Sequence, residues 1–257
     1  MYRSFMMKPL AVAMFGLAAL IAAPQVLAEP AEKGDCGQPA AATDLRHCDL
    51  SGRKLVGTDL HGVDLRGVNL SSADLSQANL RDADLRKADL RWAKLIGANL
   101  ADSDLGGADL FHVIANDANL NDARLFKTNL FGALLNGIRA QRAEFTQAYM
   151  KDVELEAADL TGATLRRVNL LRVVAMGANF RGADLSYSKM TGAAAEQADF
   201  SQARLVHTKM NGADVQGAVF NGADLQSADL TNLRRDGADF SGAINLPHAF
   251  QIDSPRP

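Results

Sequence analysis

Side chains capable of acid–base, nucleophilic or metal chemistry are plentiful in this 257-residue sequence, yet their spacing assembles no reaction centre. Thirty residues are Asp or Glu, and paired carboxylates are the commonest proton-transfer device. Such a pair needs a cleft and partial burial to shift its pKa values. Here most Asp residues recur at five-residue intervals, on positions expected to face water. His47, His61, His112, His207 and His248 are the five histidines, and none has zinc-ligand spacing. There is no Ser/His/Asp arrangement, no phosphate-binding loop and no dinucleotide fingerprint. The scattered Gly-x-Gly pieces read as corners. The expectation is a protein without enzyme activity, cofactor or metal.

Cys36 and Cys48 are the only cysteines. In an oxidising compartment an isolated pair reads as a disulfide, which would staple the segment before the first repeat over one end of the fold. Alternatively, Cys48 is a small core residue at an inward position. A second feature is apolar. Trp92, Phe111, Ile114, Phe131 and Leu134 stand where equivalent positions elsewhere carry Asp, Asn, Ser or Gly, and Leu171 and Val174 extend the same register. Contiguous exposed apolar surface marks an interaction site for a protein partner or a second copy. Two structural readings compete. The chain's own tail covers the stripe, or the backbone is distorted there, with Ile114 turned inward to compensate for Ala115.

These residues are placed by a repeat. From Leu45 to Phe240 every fifth residue belongs to one series of 40 positions, of which 26 are Leu, five Phe and three Met. With this position written i, Ala fills 24 of the 40 sites at i−2, Asp or Asn predominates at i−1, and i+1 and i+2 are polar or Gly. Five residues advance an α-helix by about 500°, so its leucines would point everywhere. In an extended segment i−2 and i share one face and i−1 points away, leaving two residues for a tight corner. One such unit buries too little alone and must stack on copies of itself. Phe180, Phe200, Phe220 and Phe240 are twenty residues apart, as are Met190 and Met210. A coil of four repeats turns each set into a vertical ladder. About ten coils at roughly 4.8 Å would reach about 48 Å. In this stacking Arg46, Arg66 and Arg86 form a ladder beside Asp44, Asp64, Asp84 and Asp104, a pairing that reads as a solvated face.

The A-(D/N)-L-x-x unit, clear from Ala73-Asp74-Leu75 to Ala88-Asp89-Leu90, resembles the pentapeptide-repeat family. The resemblance implies an all-β, right-handed quadrilateral β-helix with i and i−2 inside. It says little about activity, because the repeat is a structural code. Some family members resemble duplex DNA in shape and charge and bind type II topoisomerases. Against that alternative, Lys54, Lys94, Arg124, Arg139, Lys189, Arg204 and Lys209 interrupt the acidic faces. The C-terminal helix associated with dimeric members is also missing from a tail, 246–257, that holds three prolines. A surface adhesin or carbohydrate binder is a further class. The reading preferred is a non-catalytic extracytoplasmic protein-binding or scaffold module.

The head of the chain suggests its address. Arg3 and Lys8 precede an apolar run of about 14 residues, Leu10 to Ala23, too short to span a bilayer comfortably. Pro24 breaks it, and Val26-Leu27-Ala28 suits signal peptidase, so a signal peptide over 1–28 cleaved after Ala28 is expected. The product would be periplasmic or secreted, with no membrane span. Its charge would be −5, with 25 basic and 30 acidic residues, which gives no nucleic-acid footprint. The remaining segments are a lead at 29–42, the repeats at 43–243, and a cap and tail at 244–257.

Overall fold

The computed structural model describes residues 32–247 and residue 250. The expected signal peptide and its cleavage site lie outside the described residues, as does most of the tail. The repeats form a parallel β-solenoid in which each i−1 residue pairs with the one twenty positions later, as Asp44 with Asp64, Asp49 with Asn69, Lys54 with Asp74 and Asp59 with Asn79. These pairs begin four ladders, named here the Asp44, Asp49, Lys54 and Asp59 faces. Backbone bonds tie successive coils at each face and corner, for example Leu50 N–H to the Asn69 carbonyl at 2.9 Å and Gly52 N–H to the Ser71 carbonyl at 2.8 Å. Successive coils thus share backbone bonds at both face and corner.

The inward register is as the period requires. Leu residues from Leu45 to Leu225 and the Ala residues two before them are buried almost completely. Phe180, Phe200, Phe220 and Phe240 stack at centroid distances of 5.0, 4.8 and 4.6 Å with nearly parallel planes. Among the inward hydroxyls, Ser103 donates to the Leu100 carbonyl at 2.7 Å and Thr128 to the Leu125 carbonyl at 2.8 Å, whereas the buried Ser188 hydroxyl has no hydrogen-bond partner.

The corners explain the rest of the repeat. Leu50 accepts from Arg53 N–H at 3.2 Å, closing a four-residue turn around Ser51 and Gly52. Gly52 has φ +63°, the third-residue signature of a type II turn. Asp or Asn at i−1 completes the corner by accepting the i+1 N–H: Asp49 from Ser51 at 3.0 Å, Asn69 from Ser71 at 3.1 Å and Asp184 from Ser186 at 2.9 Å. A carboxylate or amide one residue before Leu is therefore a turn-forming side chain, not only a solvated one. Not every corner residue faces water as expected: Ala101, Ser186, Ser201 and Val206, all at i+1, are buried.

The lead segment joins the stack. Lys33 pairs in parallel with Asp44, and Gly34 N–H donates to the Asp44 carbonyl at 3.0 Å. Cys36 and Cys48 are disulfide-bonded, with Cα atoms 5.4 Å apart, so the staple forms while Cys48 also sits in the core. At the other end Phe250 packs edge-on against Phe240 at 5.7 Å, and the Arg235 guanidinium lies 4.3 Å from the Phe250 ring centre. Among the described residues no helix is long and apolar enough to cross a membrane.

Candidate interaction surface

The stripe inferred from sequence is assembled where the Asp49 face turns into the Lys54 face. Phe111 and Phe131 follow the Asp49 face on successive coils, and their rings stack at 5.5 Å with planes 9° apart. Trp92, one coil earlier, meets Phe111 edge-on at 5.5 Å and is 56% exposed. Ile114 and Leu134 pair in the Lys54 ladder and are half-buried on its outer side. Ile114 is not turned inward, and Ala115 keeps the buried i position. The described part of the tail packs at Phe240 and Arg235, not over the stripe.

Two further residues belong to the cluster and were missed from sequence. His112 stacks on Trp92 at 4.5 Å with planes 7° apart and stands edge-on to Phe111 at 4.3 Å. Tyr149 stacks on Phe131 at 6.0 Å and is 40% exposed. The twenty-residue register held the signal for both. His112 is one coil below Trp92, and Tyr149 is one coil below Asn129 on the adjoining face. Lys151 closes the lower end, with Nζ 5.8 Å from the Phe131 ring centre.

The backbone beneath these rings is left-handed. Trp92 has φ +62° and His112 φ +52°, a conformation that costs a residue with a Cβ roughly 1–2 kcal/mol. Gly132 follows in the same column, and a Cβ there would come within 2.5 Å of His112 Cε1. The bare glycine thus leaves room for the imidazole to lie flat beneath the indole. The assembly is a wall of edges and stacked planes, a geometry suited to contact.

The charged ladders neutralise themselves. Arg46 bonds Asp44 at 2.6 Å and reaches Asp64 at 3.3 Å, and Arg66 bonds Asp64 at 2.6 Å and reaches Asp84 at 3.4 Å. The Arg46 side chain holds the Asp44 carboxyl well below the usual carboxylate range, and Arg66 does the same for Asp64. Burial alone would raise Asp184, but its bonds from Ser186 and Arg166 carry it below its ordinary value. One metal-like grouping occurs among the described residues: Cys36, His47 and Cys48. Its two sulfurs are bonded to each other, so the thiolates a metal would require are not available.

Comparison with known proteins agrees with this construction. The model of the family described as pentapeptide repeats matches in eight copies between residues 43 and 244. No curated protein matches the chain significantly. Among solved structures, HetL from the cyanobacterium Nostoc, a pentapeptide repeat protein involved in heterocyst differentiation regulation, is 29% identical over 76% of this chain and 89% of its own, with a TM-score of 0.39. QnrB1, a plasmid-mediated fluoroquinolone resistance protein, is 17% identical over 62% of this chain and 87% of its own, with a TM-score of 0.48. A pentapeptide repeat protein of the Arabidopsis thaliana thylakoid lumen is 23% identical over 48% of this chain and 72% of its own, with a TM-score of 0.21. With its repeats matched over most of its length, the chain belongs to the pentapeptide repeat family.

Proposed function

We propose that this protein is a non-catalytic binding or scaffold module that works outside the cytoplasm and meets a protein partner, or a second copy, through the aromatic stripe. In this reading about ten right-handed coils serve as a rigid support, and the stripe is what the support displays. The observation that carries it is the run of rings from Trp92 to Tyr149 on a surface whose repeat asks for none. Aromatic side chains bring large contact area with few rotors to freeze, which is why they dominate binding hot spots. An extracytoplasmic address is favoured by the basic and apolar head of the sequence and by a disulfide, a bond that persists in oxidising compartments.

The test is capture from an extracytoplasmic fraction by the wild-type protein and by a Phe111→Ser/Phe131→Ser variant, with sedimentation of both. Loss of partner or of self-association with an unchanged melting profile supports the reading. Equal capture and identical monomeric sedimentation refute it. The protein recovered from an expressing bacterium should begin at Glu29. An uncleaved cytosolic chain would return the topoisomerase-binding alternative to first place.

A further inference from the structure

A different part of the surface is concave. Gly106 and Gly107 are consecutive corner residues, and they are the only Gly-Gly pair in the sequence. One coil earlier the same corner carries Arg86 and Lys87, and one coil later Phe126 and Lys127. Lys87 N–H donates to the Gly106 carbonyl at 3.1 Å and Gly107 N–H to the Phe126 carbonyl at 2.8 Å, so the three corners stack in register. Removing two side chains from the middle of such a column opens a notch, and a groove of about 590 Å³ lies there. That volume is within the range of small-molecule sites, about 300–1,000 Å³.

The lining has a definite chemistry. Phe126 is 38% exposed and supplies an apolar wall, with Lys127 Nζ 4.9 Å from its ring centre. Lys87, Arg124 and Lys127 line the groove and, among the described residues, make no ion pair within 4 Å. The Arg46 and Arg66 ladder earlier in the same corner column is saturated by Asp residues, whereas, among the described residues, Lys87 and Lys127 here have no carboxylate at ion-pair distance. Two carboxylates also line the groove, Asp104 and Glu144, the ladder neighbours of Arg124 on either side. Asp104 is engaged, accepting from Gly106 N–H at 2.9 Å and standing 4.0 Å from Arg86.

We propose that this notch binds a small organic anion with an apolar body, its carboxylate, sulfonate or phosphate directed at Lys87, Arg124 and Lys127 and its body laid over the glycine corner against Phe126. Charge selects the anionic end. The bare glycines and the phenyl ring select against a purely inorganic ion, which would leave the apolar wall wet.

The fold itself supplies the control that fills the notch. Two coils below, the same corner is Thr146-Gln147, and Lys87, Lys127 and Gln147 all hold side chains at the positive φ that Gly107 adopts. A Cβ on Gly107 would meet only Lys87 Cγ, at 3.8 Å, and one on Gly106 would press on the movable Asp104 carboxylate at 3.0 Å. Gly106→Thr/Gly107→Gln therefore fills the groove with no change of charge. Titration of the full chain with 1-naphthalenesulfonate by calorimetry should show one site. Binding should vanish in the filled variant and weaken roughly tenfold in Lys87→Gln/Lys127→Gln. It should be unchanged in Lys54→Gln/Lys94→Gln, which removes the same charge from another face. Undiminished binding to the filled variant would overturn the proposal. Equal affinity for inorganic sulfate would overturn the apolar half of it, and equal weakening by the Lys54/Lys94 pair would reduce it to bulk charge.

Discussion

Replacing Phe200 by Ala tests how far the stacked core is more than filled volume. Phe200 is fully buried, with Phe180 on one side at 5.0 Å and Phe220 on the other at 4.8 Å. Truncating a core Phe to Ala costs about 3–5 kcal/mol in lost transfer energy and cavity. Phe145 is equally buried but, among the described residues, has no aromatic neighbour, so Phe145→Ala reads that cost without the stack. Each offset ring pair adds about 0.5–1.5 kcal/mol beyond area. Phe200→Ala removes two, so it should exceed Phe145→Ala by about 1–3 kcal/mol. Hydrogen exchange followed by mass spectrometry is the suitable assay, because coils touch only their neighbours and unfolding need not be two-state. Protection should fall in the coils from about Ala175 to Leu225 and be unchanged around Leu65. A Phe145→Ala loss as large as that of Phe200→Ala would refute the contribution of the stack. Loss spread evenly to the first coils would refute nearest-neighbour coupling.

Leu85→Asp should disrupt its coils, since it places a carboxylate in a fully buried site, whereas Arg86→Ala should change stability little because it loses only solvent-exposed pairs with Asp84 and Asp104. Comparable melting losses would mean the inward register is wrong. Cys36→Ser/Cys48→Ser should lower stability by about 2–3 kcal/mol, and exchange should localise the loss to the lead and first coil. Asp44, Asp64, Asp89, Asp122 and Asp184 all have carboxyls held below their ordinary value in the fold. Their contribution is therefore complete above the unfolded value, about 3.9, and is lost as pH falls through the lower folded values. Thermal melting should decline only in that acid range, and Arg46→Ala/Arg66→Ala should flatten the decline.

The stacking of this fold was legible because its signals are periodic. Leu at i and Ala at i−2 fixed which side chains go inside, and the Phe180-to-Phe240 spacing fixed the twenty-residue coil. What escaped was local geometry that a period does not encode. Asp at i−1 was expected simply to face water, yet Asp49 and its equivalents fold back on the i+1 N–H, a choice made by a side-chain torsion. The burial of Ser186 and Val206 at corners depends on what the neighbouring coil presents. His112 joins the rings only because Gly132 below it lacks a Cβ, and that is visible once side chains are stacked in register. The pairing of Lys33 with Asp44 carries no repeat signal at all, since the lead has no A-(D/N)-L-x-x unit.

Arg235 gives the last coil a meaning beyond capping. Stacked β-coils present the same 4.7–4.8 Å template that lets cross-β fibrils grow by adding one layer after another. An end made only of Leu, Ala and Phe would invite a neighbouring molecule to continue the column. Here the i series that runs Ala175, Ala195, Val215 arrives at a guanidinium, positioned against the Phe250 ring at 4.3 Å. A foreign layer continuing that column would meet the Arg235 guanidinium and the Phe250 ring instead of a bare apolar shaft. A charge at the end of a sheet is a known defence against edge-to-edge aggregation. The Arg235–Phe250 contact thus sets a charge and a ring edge, instead of another Leu or Ala, at the end of this column.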